Sequence, residues 1–266
     1  MILAGLPALA LAIPEHAPRP GGIAVLKIPA SQNGTPPIVR FEGRRALVVR
    51  RDDNWLAVIG IPLDREPGPA TASICNVGDN EPRTLTFDIG THAYREQHLT
   101  VKPGYVNPAP EQLERIIAER EHIDAALARW SDKAVDAVTL RAPVDGTRSS
   151  SFGSRRFFND EPRAPHRGMD IAAGAGTRIS APLDGTVLLA GDYYFTGNTV
   201  IVDHGQGLLT LYAHLRDLAV EDGQILERGE RLGTVGATGR VTGPHLHFAV
   251  YLNGTPVDPA LLLEAP

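Results

Sequence analysis

The sequence predicts a mainly β protein, with two β-domains and one bridging helix. Short apolar runs separated by turn signals recur along residues 20–105 and again beyond residue 139, and many of their residues are β-branched. Between these zones, apolar residues recur at helical spacing. We therefore expect an N-terminal β-domain at 20–105, a linker helix region at 106–138 and a C-terminal antiparallel β-domain at 139–266.

The N-terminal β-domain is predicted to be a small antiparallel sandwich, because its strand-like segments are short and regularly interrupted by turns. No cluster of metal ligands stands out in this part of the sequence. The segments that carry the prediction are GGIAVLKI, RALVVRR, WLAVIGIPL, TASICNV, RTLTFDI and REQHLTV.

The linker helix is predicted from about residue 109 to residue 131, in APEQLERIIAEREHIDAALARW. Pro108 and Pro110 stand at its start, where proline is tolerated. Charged residues separate the apolar ones, so one apolar face should pack on a neighbouring domain. That face consists of Leu113, Ile116, Ile117, Ile123, Leu127 and Trp130.

The C-terminal domain is rich in glycine and short strand-like segments. Turn signals such as Asp184-Gly185, His204-Gly205 and Asn253-Gly254 separate these segments. The predicted strands lie in GTVLLAG, NTVIVDHG, LLTLYAHL, RLGTVGATG and HLHFAVYL.

Charge and hydropathy limit the classes of partner. The net charge of −5 argues against nucleic acid as the main partner. Residues 1–12, MILAGLPALALA, resemble the apolar core and cleavage region of a secretory signal, and a buried N-terminal strand is the alternative. No later segment approaches the length of an apolar membrane span, so we expect no span in the mature chain.

The histidines of the C-terminal domain suggest a metal site. His166 is followed four residues later by Asp170, and His214 ends a strand-like run. His245 and His247 stand two apart in one predicted strand, so both side chains should lie on the same face, opposite Leu246 and Phe248. A single histidine is usually a surface or hydrogen-bonded core residue, but these are grouped.

Zinc chemistry accounts for a set of this kind. Catalytic zinc typically takes three ligands from His, Asp and Glu, and it activates water at neutral pH. A further group must accept and donate protons, for which histidine is suited. Four histidines and one aspartate would supply three ligands and two acid–base groups, although composition alone does not assign the roles. No His-Glu-x-x-His motif is present, which excludes the helical zincin arrangement.

Four ordered blocks resemble the lysostaphin/LytM-type zinc metallopeptidases, which cut peptide bonds in bacterial peptidoglycan. They are SFGSRRFFN, HRGMDIAAGAGTRISAPLDGTV, GNTVIVDHGQGLLTLYAHL and VGATGRVTGPHLHFAVYLNGTPVDP. The resemblance implies that His166, Asp170 and His247 bind one zinc ion. It implies that His214 and His245 are the unligated catalytic histidines. By the same resemblance, His204 in Asp-His-Gly has no catalytic role.

The resemblance also implies a substrate and a location. We expect a D,D-endopeptidase that cuts D-alanyl–diaminopimelate crosslinks in the periplasm of a Gram-negative cell, with pentaglycine bridges as the alternative substrate. A catalytically inactive activator or scaffold for another wall hydrolase is the alternative function, and a regulatory protein partner is left open. The N-terminal domain either partly covers the zinc groove or serves as a spacer.

Two groups of residues near the expected groove complete these expectations. Arg155, Arg156 and Asn159 either line the groove and contact substrate or are solvated loop residues. The glycines at 168, 174 and 176 are expected to allow a close backbone approach to the metal.

Overall fold

The computed structural model describes residues 13–28, 35–75, 83–100, 108–135 and 137–264. The predicted secretory segment at 1–12 lies outside them. Within the described part of the chain, no helix has the length and apolar character that crossing a membrane requires.

The N-terminal part forms two antiparallel sheets packed face to face, which confirms the predicted sandwich. One sheet has the strand order β1-β5-β4 and the other has the order β3-β2-β6-β7. Their inner faces bury a common core that includes Val39, Phe41, Ile59 and Ile74. The strands are β1 (Ile23–Ile28), β2 (Ile38–Phe41), β3 (Arg44–Arg45), β4 (Leu47–Arg51), β5 (Asn54–Gly60), β6 (Gly68–Cys75) and β7 (Arg83–Ile89).

The segment REQHLTV does form a strand, β8 (Glu96–Leu99), but this strand does not belong to the sandwich. It pairs in parallel with β10 (Arg155–Phe158), with Gln97 opposite Arg156 and His98 opposite Phe157. A third strand, β11 (Glu161–Pro162), completes this small sheet. The His98 and Phe157 rings stack with centroids 4.6 Å apart. The sequence predicted the strand but not its partner, because strand periodicity carries no information about pairing.

The linker helix α1 spans Pro110–Leu127, and only its C-terminal half packs well. Leu127 is buried, and Ile123 packs against the same apolar cluster on the C-terminal sheet. Leu113 and Ile117, in contrast, are 46% and 59% exposed, so the predicted apolar face is only partly covered. The prediction failed there because helical spacing shows which residues share a face but not how far the neighbouring domain extends.

The C-terminal part is built on one large sheet of ten strands, with only antiparallel pairs. Its main path runs β17-β14-β15-β16-β19-β12-β9, with β18 joining β16 to β13 and β20 pairing with β19. A short 3₁₀ helix at Pro259–Leu261 follows. The strands are β9 (Thr147–Ser150), β12 (Met169–Ala172), β13 (Arg178–Ser180), β14 (Gly185–Tyr193), β15 (Gly197–Gly205), β16 (Leu208–Leu218), β17 (Ile225–Leu226), β18 (Arg231–Val235), β19 (Leu246–Leu252) and β20 (Thr255–Val257).

The sandwich and the large sheet share one apolar core. Leu47 and Val58 of the sandwich belong to the same buried cluster as Leu252 and Val257 of the large sheet. Asn253 adds two buried hydrogen bonds across this junction, because its side chain accepts from the Gly60 amide at 2.7 Å and donates to the Gly60 carbonyl at 3.2 Å. The sandwich and the large sheet are therefore packed directly against each other.

His204 is a buried structural residue. Its Nδ1–H donates to the Asp184 carbonyl at 2.9 Å, which leaves Nε2 to accept from the Thr210 hydroxyl at 2.7 Å. The Thr210 oxygen in turn accepts from the Tyr212 hydroxyl at 2.9 Å. This chain of hydrogen bonds needs a neutral imidazole, and burial lowers the pKa of His204 to about 4.

Acid should destabilise the fold partly through this residue. Between its ordinary pKa of about 6.5 and its folded pKa of about 4, His204 takes up a proton only when the chain unfolds. Its stabilising contribution is therefore complete above about pH 6.5 and is lost as the pH falls to about 4, at about 1.4 kcal/mol per pH unit. We expect His204→Gln to be less stable than wild type at pH 7 but to have a shallower pH dependence in urea unfolding. Equal slopes for the two proteins would contradict this role.

Candidate functional site

The site is centred on the pairing of β12 with β19. In this antiparallel pair, Asp170 lies directly opposite His247. Leu246 and Phe248 are fully buried in the core, so His247 projects from the other face of the sheet. The His247 Nδ1 atom lies 2.9 Å from Asp170 Oδ1. The strand register therefore places a carboxylate and an imidazole side by side.

His166 reaches the same point from the loop before β12. Its backbone is held by two hydrogen bonds, from His166 N–H to the Ser154 carbonyl and from Gly153 N–H to the His166 carbonyl. Its ring Nδ1–H donates to the Ser151 carbonyl at 3.1 Å, which leaves a lone pair on Nε2. The Nε2 atom lies 3.0 Å from Asp170 Oδ1 and 3.0 Å from His247 Nδ1.

Three potential ligand atoms thus converge on one point, one from each of His166, Asp170 and His247. The hydrogen bond to the Ser151 carbonyl places the His166 ring proton on Nδ1, so Nε2 presents a lone pair to the cluster. A carboxylate and two imidazole nitrogens form the donor set that suits a divalent transition metal ion. The residues present therefore fit a metal ion with three protein ligands.

The electrostatics of the cluster also suit a cation. Burial alone would raise the pKa of Asp170, but its interactions with the His166 and His247 rings outweigh burial and hold that pKa far below its usual value. Burial lowers the pKa of the His166 ring to about 4. At neutral pH the cluster therefore presents a carboxylate and a neutral His166 imidazole, which is the form that binds metal.

Arg156 holds the second oxygen of Asp170. Its Nη2 donates to Asp170 Oδ2 at 2.8 Å, and its Nε donates to the Gln97 side-chain oxygen at 3.1 Å. Ser150 also donates to that oxygen of Gln97, at 3.3 Å. Gln97 comes from β8, so the N-terminal segment contributes to the wall of the site. The β8–β10 pairing that brings Gln97 here could not be read from the sequence.

His214 approaches from β16 through an irregular backbone. The register between β15 and β16 shifts between the Asn198/Leu215 and Val200/Tyr212 pairs, and His214 has a φ of 68°. A left-handed conformation is uncommon for a residue other than glycine, although histidine adopts it more often than most residues do. The His214 Nδ1–H donates to the Thr238 carbonyl at 2.9 Å, so Nε2 is the proton-accepting atom.

His245 lies just before β19 on the same side as His247. Its Nδ1–H donates to the Gly243 carbonyl at 2.9 Å, and its Nε2 is 3.9 Å from Asp170 Oδ1. The His214 and His245 ring centroids are 5.0 Å apart. Burial, together with the nearby His247 and His245 rings, lowers the pKa of His214 to about 3.

These side chains line one cavity of about 330 Å³. The structure brings together all five residues named from the sequence. Four of them line this cavity directly, and His166 is buried behind it. Lining residues that were not singled out from the sequence are Gln97, Ser149, Ser150, Phe158, Ala172, Arg240, Val241 and Thr242. Arg240 and residues 241–244 lie within the fourth motif block, VGATGRVTGPHLHFAVYLNGTPVDP.

Of the three residues expected near the groove at 155, 156 and 159, only one lines it. Arg156 lines the groove, whereas Arg155 is exposed and pairs with Glu96 at 3.3 Å. Asn159 does not line this cavity and has a φ of 50°. His204 lies away from the site, in the buried chain described above.

Only one of the three glycines touches the site. A Cβ on Gly168 would lie 2.7 Å from the His247 ring and 2.7 Å from the Phe248 carbonyl oxygen. A Cβ on Gly174 or Gly176 would approach nothing closer than 3.7 Å, so the expected crowding there is wrong. Gly176 has a φ of 87°, which gives a local backbone reason for that glycine.

An antiparallel β-fold with a convergent two-histidine, one-aspartate cluster and two further histidines defines a protein of the metallopeptidase class. The profile of peptidase family M23 matches residues 164–259, and that of the M23 N-terminal domain matches residues 16–92. A crystal structure from Pseudomonas aeruginosa assigned to peptidase M23 is 40% identical, with a TM-score of 0.77 over 92% of this chain and 94% of that one. The chain belongs to peptidase family M23, which confirms the resemblance identified from the sequence motifs.

ShyA and ShyB are among the curated relatives from Vibrio cholerae. Peptidoglycan DD-endopeptidase ShyA is 42% identical over 121 residues, which are 44% of this chain and 28% of ShyA. Peptidoglycan DD-endopeptidase ShyB is 39% identical over 209 residues, which are 73% of this chain and 49% of ShyB. The chain thus matches less than half the length of each of these relatives.

The Gly168 contact predicts a specific effect on metal binding. In Gly168→Ala, the new methyl group should displace the His247 ring and weaken Zn²⁺ affinity by about 10-fold or more, as disturbed ligand orientation does elsewhere. Competition with a chromophoric chelator measures this affinity. Gly174→Ala is the matched control and should bind as wild type does, because the added methyl group would meet only the Thr177 hydroxyl oxygen, at a van der Waals distance of 3.7 Å. Unchanged affinity in Gly168→Ala would show that the ring position does not depend on this glycine.

Proposed function

We propose that this chain is a zinc endopeptidase that hydrolyses peptide crosslinks of bacterial peptidoglycan, at a D,D bond. The observation that carries the proposal is the convergence of three ligand atoms beside two further histidines in one groove. A metal site with a purely structural role would need no acid–base groups beside it. A pair of histidines without a metal would need no preformed set of ligands. The combination of both features therefore favours a catalytic metal site.

His166, Asp170 and His247 are proposed to hold one zinc ion. Each has a potential ligand atom in the cluster, and Arg156 and the Ser151 carbonyl orient Asp170 and His166 from outside it. Partners of this kind tune ligand geometry and affinity in metal sites. The bound ion would supply Lewis acidity, which activates water at neutral pH.

His214 and His245 are proposed to move the protons. Each ring donates through Nδ1 to a backbone carbonyl, so each can accept a proton at Nε2. Hydrolysis requires one proton to leave the attacking water and one to reach the leaving amine. Two histidines fixed with their ring centroids 5.0 Å apart can divide these two transfers between them.

The substrate assignment is supported by the relatives. ShyA and ShyB are named peptidoglycan DD-endopeptidases, and ShyB aligns with nearly three quarters of this chain. We therefore favour D-alanyl–diaminopimelate crosslinks over pentaglycine bridges. A substrate of this kind lies outside the cytoplasmic membrane, and the periplasm of a Gram-negative cell is the location that we propose.

An inactive activator of another wall hydrolase is the second function considered. Such a protein has no need of a complete catalytic set, and replacement of one ligand or acid–base residue would be expected. All five positions carry the required residue type here, and their geometry is mutually consistent. The active enzyme is therefore the preferred proposal.

The proposed roles predict two distinct kinds of variant. His166→Ala, Asp170→Ala and His247→Ala should lose zinc and activity together, because each removes a ligand. His214→Ala and His245→Ala should keep zinc but lose about 10²–10⁴-fold in turnover, the usual contribution of acid–base groups. Zinc is measured by mass spectrometry of the metal, and activity by release of soluble fragments from purified peptidoglycan.

His122→Ala serves as the matched histidine control, because that residue lies on α1 and contacts Tyr193 away from the groove. It should retain zinc and turnover. Full zinc occupancy after loss of one proposed ligand would remove that residue from the set. A loss of less than about tenfold in His214→Ala or His245→Ala would count against an acid–base role.

The bond that is cleaved can be tested directly. Defined crosslinked muropeptides should yield separate stem peptides, one ending in D-alanine and one with a new amine on diaminopimelate. Mass spectrometry identifies these products, and chelator-treated protein should form none until zinc is restored. A zinc-loaded wild-type protein that cleaves no crosslinked muropeptide would instead favour the activator.

A further inference from the structure

Arg240 is a groove-lining cation to which the proposed chemistry gives no role. It lies in the loop between β18 and β19, and its backbone N–H donates to the Phe195 carbonyl at 2.8 Å. In the same loop, the Thr238 hydroxyl donates to the Leu215 carbonyl at 2.8 Å. These two hydrogen bonds therefore hold the loop that carries Arg240 against the large sheet.

Two aromatic rings hold the guanidinium of Arg240. Its Cζ atom lies 4.4 Å from the centroid of Phe195 and 5.0 Å from the centroid of Phe158. Contacts of this kind hold the flat face of the guanidinium, whose N–H groups point outward in its own plane. Because Phe158 lines the cavity as well, this fixed cation forms part of the cavity wall.

The charge around the cavity favours an anion near Arg240. Besides the histidines, the charged side chains that line the cavity are Arg156, Asp170 and Arg240. Asp170 is already engaged by Arg156, His166 and His247. Burial lowers the pKa of Arg240, and the charges of Arg156 and Arg163 lower it further, whereas Tyr194 acts in the opposite direction. An anionic ligand group would relieve this repulsion.

We infer that Arg240 recognises a carboxylate of the substrate peptide beside the scissile bond, an inference that rests on the proposed function. The planar N–H groups of a guanidinium match the two oxygens of a carboxylate. In a D-alanyl–diaminopimelate crosslink, the carbon attached to the leaving nitrogen carries such a carboxylate. The internal bonds of a pentaglycine bridge have none. Arg240 would therefore be a specificity residue that separates these two substrates.

A pair of matched substrates tests this role. One is a crosslinked muropeptide with that carboxylate, and the other carries a carboxamide at the same position. Wild type should prefer the carboxylate in kcat/KM by about 10- to 100-fold, the effect of one or two charge-assisted hydrogen bonds. Arg240→Gln should lose this preference through slower cleavage of the carboxylate substrate, with the carboxamide substrate little changed. Arg240→Lys keeps the charge but not the planar donors, and should keep only part of the preference.

A purely structural role for Arg240 gives a different result. If the residue only clamps Phe158 and Phe195, Arg240→Gln should slow both substrates equally, and the inference would be overturned. Arg155→Gln makes the same change of charge at an exposed position that does not line the cavity, and should retain the wild-type preference. Zinc content and the melting temperature of each variant show that it is folded and loaded.

A binding measurement separates failure of the proposed hydrolytic function from failure of carboxylate recognition by Arg240. If wild type cleaves neither substrate, calorimetric titration with the same two peptides still measures recognition. Tighter binding of the carboxylate peptide to wild type, lost in Arg240→Gln, would support the inference without any hydrolysis. Equal affinities of wild type for the two peptides would overturn it.

Discussion

The register between β12 and β19 is the constraint on which the site depends. This register pairs Asp170 with His247 while Leu246 and Phe248 remain in the core. A slip of one residue would turn His247 into the core and bring apolar side chains to the groove. The burial of Leu246 and Phe248 therefore stabilises the fold and aims the imidazole at the same time. His166 and Arg156 then need only reach a carboxylate whose position is already set.

The sequence predicted the β-rich architecture, the linker helix and the five clustered residues, because each has a local signature. Alternation along HLHFAVYL separates the histidine face from the core face, and the motif blocks identify the loops that carry the other residues. The contribution of Gln97 was not predictable, because it depends on a long-range parallel pairing. The left-handed backbone of His214 was also hidden, because a histidine signals such a conformation far less strongly than a glycine does.

The shared core changes how the two β-rich parts should be regarded. Leu47 and Val58 of the sandwich are buried with Leu252 and Val257 of the large sheet, and Asn253 satisfies both backbone groups of Gly60. Separating the parts would expose this apolar surface and leave buried polar groups without partners, which is costly. The sandwich therefore contributes to the stability of the scaffold that carries the site.

The parallel β8–β10 pair has a consequence for how sequences of this type can vary. Residues 90–95 connect the last sandwich strand to β8, and β8 supplies Gln97 to the groove wall. A loop elsewhere on the surface can gain or lose residues at little cost. An insertion or deletion within 90–95 would instead shift which β8 side chain faces Arg156. The length of this connection therefore determines which β8 side chain completes the groove wall, and a change of length in a segment that carries none of the five clustered residues would reshape the groove.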